Sequence, residues 1–183
     1  MLFVSFRLFL LSFVFFGIQL GAACQEKWPA PLKTKVENAL SKIYGIQTPT
    51  SLKKVRVSEY IESVAKLEMN QHFYEVHKNN IKIGYLYVSQ ANSMKNVFDY
   101  MVVLSPELVI KKAKVLIYRE QHGRQIGTPR WLNQFNGMGI SDRPTINQEV
   151  DGISGATISA TSMTQAVNKL LQSLSFAKEN GAI

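Results

Sequence analysis

The residues best suited to chemistry lie in one short run, Asp151-Gly152-Ile153-Ser154-Gly155-Ala156-Thr157-Ile158-Ser159. Two glycines, an alanine and three hydroxyl residues precede an amphipathic stretch, so the threonine hydroxyl is offered on a turn at a helix entrance. Backbone N–H groups and the dipole at such an entrance stabilise a phosphate without a dedicated side chain. Gly155 and Ala156 leave the approach to Thr157 open, since neither carries a bulky group. From these residues alone, two readings stand side by side: a hydroxyl presented for esterification, or a turn that merely caps a helix.

The elements that must position this run are legible in the pattern of apolar residues. Leu32, Val36, Leu40 and Ile43 recur at helical spacing, and Gly45 and Pro49 follow as expected past a helix end. A less ordered stretch over Leu52–Tyr60 leads to a short helix, Glu59–Lys66. From His72 the texture becomes that of strands. Phe73–His77 and Ile81–Val88 flank a Lys78-Asn79-Asn80 loop, and Val97–Leu104 and Val109–Tyr118 flank Ser105-Pro106-Glu107-Leu108. Four such runs joined by short turns predict an antiparallel meander. Thr128-Pro129 signals a helix start with a threonine cap, giving a short helix over Trp131–Phe135. The last helix is expected from Ser159 or Thr161, with Met163, Val167, Leu170, Leu171 and Leu174 on one stripe. The fold class expected is therefore α+β, an antiparallel sheet packed with helices near both ends. Residues 24–71 form an N-terminal helical segment and residues 72–178 the main domain.

Residues 1–23 stand apart. Arg7, an apolar run from Leu8 to Phe16 and then Gly21-Ala22-Ala23 have the order of a secretory signal. The uncharged stretch is shorter than the ~18–20 residues of a comfortable membrane span. An exported, periplasmic protein is expected, either released or anchored by an uncleaved N-terminus. Cys24 is the sole cysteine and lies at the expected cleavage point, so it makes no internal disulfide and is either lipid-bearing or an ordinary residue near a cleaved end. The formal charge of +8 becomes +7 without Arg7. That surface suits anionic lipid or acidic proteins, or simply solubility. No dense basic block interleaved with aromatics supports nucleic-acid binding. His72, His77 and His122 lack cysteine partners and helical pairing, so no metal site is expected.

Three motifs in order sharpen the reading: Tyr118-Arg119-Glu120-Gln121-His122-Gly123, then Trp131-Leu132-Asn133-Gln134-Phe135-Asn136-Gly137, then the Asp151-initiated run. Together they resemble the FMN-binding domain family, whose members show Glu-x-x-Gly, Trp-x-x-x-Phe-x-Gly and an Asp-x-x-Ser/Thr-Gly-Ala-Thr flavinylation motif. The resemblance covers roughly His72 to Leu171. It implies FMN joined by a phosphoester bond to Thr157, with Asp151, Ser154, Gly155 and Ala156 forming the attachment loop. It also implies a flavin transferase that moves FMN from FAD using Mg²⁺, and membrane or periplasmic redox partners. Glu120 and Gln121 are candidate cofactor contacts, Glu120 serving either the flavin or the turn at Gly123. Trp131 and Phe135 share a helical face and either flank the flavin ring or pin their helix to the sheet. Arg119 and Arg130 are further candidates for the flavin's polar edge or phosphate. Met138 stands where relatives often carry lysine, and Gln121-His122 where complex subunits carry Thr-Pro. The chain is thus closer to single-domain periplasmic members than to subunits of sodium-translocating NADH:quinone oxidoreductase. The function implied is that of an exported electron carrier, not an enzyme. The alternatives are a non-redox envelope or flavin-sensing module, and a flavin-dependent reductase, for which no acid/base pair stands out.

Overall fold

In the computed structural model, residues 28–45, 51–65 and 69–183 are described. The signal segment 1–23, Cys24 and Pro49 lie outside them. Helix α1 (Ala30–Tyr44) begins with Pro29-Ala30-Pro31, where missing N–H groups cost nothing, and ends on Gly45 at φ 62°. It buries Leu32, Val36, Ala39 and Leu40. Strand β1 (Ser51–Lys54) follows, then α2 (Glu59–Ala65) and α3 (Met69–His72). Strands β2 (Phe73–Lys78), β3 (Ile81–Asn92), β4 (Val97–Leu104) and β5 (Ile110–Ile117) come next. Helices α4 (Pro129–Leu132) and α5 (Thr157–Glu179) complete the order.

The five strands pair antiparallel in sequence order, β1 to β5. The class is therefore α+β, and the expected meander is present with one extra strand. That strand corrects the reading of residues 24–71 as helical: Ser51–Lys54 pairs with Tyr74–His77 and extends the sheet by an edge.

Each sheet face carries its own core. On one face α1 covers Tyr74, Val76, Leu86, Val88, Met101 and Val103. On the other, α5 lays Ala160, Met163, Val167, Leu170, Leu171 and Leu174 against Tyr87, Phe98, Tyr100 and Val102. Alternating strand residues thus feed two layers, which explains why β4 is buried along nearly its whole length. Each large side chain on the α5 stripe contributes roughly 1.5–3 kcal/mol by leaving water. Among the described residues, no helix is long and apolar enough to cross a membrane.

Candidate functional site

The site is built where the end of β5, the β3–β4 hairpin and the start of α5 converge. Between them lies an open cleft of about 630 Å³, lined by Met94, Lys95 and Asn96 of the hairpin, by residues 118–122, and by residues 155–159. Its size falls in the range of small-molecule sites, ~300–1,000 Å³.

Thr157 is the first residue of α5, two positions earlier than the expected start, and is exposed. Gly155 adopts φ 76°, a left-handed turn that L side chains resist, and so brings the chain into the helix. Ala156 is the N-cap and supplies no side-chain bond, so the first-turn N–H groups of α5 lack a side-chain cap. The Thr157 hydroxyl makes one long bond, donating to the Ile153 carbonyl at 3.4 Å. It is exposed on the cleft wall, beside helix donors that have no side-chain cap.

Two contacts hold the loop that carries it. The Trp131 indole N–H donates to the Asp151 carbonyl at 2.8 Å, and the Asp151 N–H donates to Gln134 Oε1 at 2.9 Å. Both main-chain groups of Asp151 are thus fixed by the Pro129–Phe135 segment, while its carboxylate faces solvent. Trp131 is 6 % exposed and packs edge-on against Phe135, at 5.4 Å between ring centres. Neither ring lines the cleft. Of the two readings for these rings, flanking the flavin or pinning their helix to the sheet, the geometry places both in the core, with the Trp131 N–H spent on the loop.

The Glu-x-x-Gly motif lines the cleft through Glu120, Gln121 and His122. Gly123 adopts φ 78°, and a Cβ there would lie 2.8 Å from the Tyr118 hydroxyl and 3.0 Å from Ala156 Cβ. Only glycine lets the two motifs approach this closely. The Tyr118 hydroxyl and Ser159 Oγ lie 3.0 Å apart and tie β5 to the first turn of α5.

Glu120 lines the cleft, and among the described residues its hydrogen bonds go to the β3–β4 hairpin and not to the Gly123 turn. Oε1 accepts from the Ser93 hydroxyl at 2.7 Å and from the Lys95 and Asn96 N–H groups, each at 2.8 Å. The Ser93 hydroxyl foremost, then the Lys95 N–H, draws its carboxyl down to about 2. Glu120 is the clasp of the β3–β4 hairpin. Arg119 is likewise engaged, at 2.6 Å from buried Asp99 and 2.9 Å from the Val97 carbonyl, whereas Arg130 is exposed and outside the cleft.

The structure therefore brings together Gly155, Ala156, Thr157, Glu120 and Gln121 in one cleft. Ser154 lies beside it in a shallower depression with Gln121 and Gly123. Asp151 and Trp131 support from behind. Met94, Lys95, Asn96, Ile158 and the Tyr118–Ser159 pair escaped the sequence reading. The polar run Asn92–Asn96 marks a hairpin, but its meeting with Glu120, more than twenty residues on, has no local signal. Among the described residues, no group of three or more His, Cys, Asp or Glu side chains could hold a metal ion.

Residues 94–172 match the family model of the FMN-binding domain. No curated protein matches the chain. A solved structure, the crystal structure of Shewanella oneidensis NqrC, is similar at 17 % identity with a TM-score of 0.48, covering 61 % of this chain and 61 % of that one.

Proposed function

We propose, on the premise that residues 94–172 belong to the FMN-binding domain family, that this protein is an exported electron carrier holding FMN covalently on Thr157. The observation that carries the reading is the exposed Thr157 hydroxyl at the wall of a cleft lined by residues 118–122 and 155–159. A cleft of about 630 Å³ accommodates a flavin nucleotide, and the uncapped N–H groups of α5 suit the negative charge of its phosphodiester.

Attachment needs no catalytic group from this chain. A flavin transferase takes FAD as donor. The Thr157 oxygen bonds to the FMN phosphorus, the pyrophosphate P–O bond breaks, and AMP leaves while the hydroxyl proton is lost to solvent. Thr157, Gly155 and Ala156 present the oxygen; Asp151, fixed by Trp131 and Gln134, keeps the loop in place. Ser154 lies three residues before the attachment residue, and Gln121 lines both the cleft and the depression that holds Ser154. When bound, FMN supplies one- and two-electron chemistry, which the protein tunes through burial and nearby charge. Tethering keeps the flavin at high local concentration where a dissociated one would be lost. The N-terminal signal pattern supports action in the periplasm, with an uncleaved N-terminus or a Cys24 lipid as routes to the membrane, beside redox partners there.

Co-expression with a flavin transferase followed by intact mass measurement tests the reading. The mass should rise by FMN less water, and Thr157→Ala should abolish the increase. Unmodified wild type beside a relative that the same transferase modifies removes the covalent assignment. Reversible bleaching of the yellow protein by dithionite separates a carrier from a colourless binding module.

A further inference from the structure

A second feature lies outside the cleft and shares no residue with it. Where α1 rests against β5, Lys42, Lys111, Lys112 and Lys114 surround a hollow of about 370 Å³ whose remaining walls are Ala39 and Ile43. Lys35 belongs to the same field, because Lys35, Lys42 and Lys112 all act on the Lys114 ammonium. Burial first, and then these three like charges, weaken its hold on its proton.

The cations have few internal counterweights. Lys112 Nζ donates to the neutral Asn133 amide at 2.6 Å, and Lys111 Nζ sits 5.2 Å from the centre of the Tyr44 ring. Glu107 feels Lys111 but is exposed on the β4–β5 turn. Glu37 on α1 turns to Lys33, at 3.8 Å. Among the described residues, none of Lys35, Lys42, Lys111, Lys112 and Lys114 has a carboxylate within ion-pair distance.

Edge strands often carry lysine to discourage pairing with another sheet edge. That accounts for charges along β5. It does not account for Lys35 and Lys42, which α1 adds to the same flank, or for gathering them around a concavity with apolar walls. Crowding like charges destabilises the fold, and a ligand of opposite sign relieves it.

We propose that this flank is a docking surface for an acidic protein segment, with a carboxylate side chain of the partner seated in the hollow. The concavity decides between the anionic candidates: a projecting side chain fills it, whereas a bilayer surface meets a broad face and leaves it empty. A partner bound here shares no residue with the cleft around Thr157, so docking and cofactor attachment use different parts of the molecule.

The test is a titration of fluorescein-labelled hexaglutamate with the full chain, read by fluorescence anisotropy at low and physiological salt. Reversing two flank charges, Lys42→Glu with Lys114→Glu, should weaken binding by about tenfold or more. Reversing two exposed charges on α5, Lys169→Glu with Lys178→Glu, alters net charge equally and should leave affinity within about twofold. A neutral pair, Lys42→Gln with Lys114→Gln, removes repulsion without adding carboxylates and guards against misfolding in the reversed one. Equal losses in flank and α5 variants would reduce the effect to net charge and overturn the proposal. So would binding of phosphatidylglycerol vesicles with no binding of hexaglutamate, which would assign the flank to lipid.

Discussion

At the scale of single residues, two positions decide whether the cleft keeps its shape. Glu120 gathers three donors on one oxygen, and its carboxyl titrates near 2 in the folded protein. In the unfolded chain a glutamate titrates near ~4.3. The folded value is the lower one, so the stabilisation is complete above the unfolded value and is lost as pH falls toward 2. Glu120→Gln should therefore lower the melting temperature at neutral pH, and the gap to wild type should close between about pH 4.5 and pH 2. A gap that persists unchanged at pH 2 would show that charge plays no part in the clasp. Gly123 lies against two residues of the cleft wall, Tyr118 and Ala156. Gly123→Ala places a methyl against the Tyr118 hydroxyl and Ala156 at a left-handed φ, costing about 1–2 kcal/mol from conformation alone. Thermal melts should show that loss, and loading of Thr157 by a transferase should slow as the two motifs part. The glycine at 123 is visible in the sequence as the end of Glu-x-x-Gly. Its closeness to Ala156 is not, because nothing local in either motif reports the other.

Among the elements, strands announced themselves best. Val97–Leu104 is a run of apolar and aromatic residues ended by Ser-Pro, and it forms β4 over those same residues. The local pattern does not predict strand β1, because Ser51-Leu52-Lys53-Lys54 is four residues long, half-exposed and without a turn tying it to β2. Its pairing comes from tertiary contact, which overrides weak local preference. The start of α5, Thr157, differs from the expected one for a related reason. Ser159 and Thr161 look like caps, but Gly155 turns the chain early and Tyr118 engages the Ser159 hydroxyl instead. Thr128 repeats the lesson: it occupies the N-cap position of α4, yet its hydroxyl donates back to the Gln125 carbonyl at 2.7 Å and caps nothing. The α4 segment is the element on which the Thr157 loop depends, and Trp131→Phe isolates that dependence. The change keeps an aromatic ring in the core and removes the donor to Asp151. A loss of about 0.5–1.5 kcal/mol is expected from one hydrogen bond, read by denaturant melts. Proteolysis should cut first within residues 151–156, since Asp151 then keeps the Gln134 contact but not the Trp131 one. Wild-type resistance of that loop would move its anchorage elsewhere.

The whole molecule is a sheet with two cores whose flanks differ in charge economy. The α5 face closes over an apolar stripe and opens at one end into the cleft, whereas the flank between α1 and β5 gathers lysines that repel one another. Composition announces the excess of cations through the +8 charge but not its concentration, which depends on α1 crossing beside β5. The cost of that arrangement can be measured at Lys114. Its ammonium is disfavoured in the folded state relative to the unfolded chain, so the folded protein binds fewer protons as pH approaches the ordinary lysine value. Stability should then rise with pH through that window, the reverse of the usual alkaline loss for a paired lysine. Lys114→Met keeps the length of the stem and deletes the charge. At neutral pH and low salt it should stabilise the protein by roughly 0.2–1 kcal/mol, the scale of screened surface charge interactions. Raising the salt should shrink the gain, because screening already relieves the wild type. The gain should also fade as pH climbs and the wild-type ammonium loses its proton. Urea melts of both proteins across salt and pH read all three trends, and a destabilised Lys114→Met at low salt would mean that the lysine is held by attraction after all.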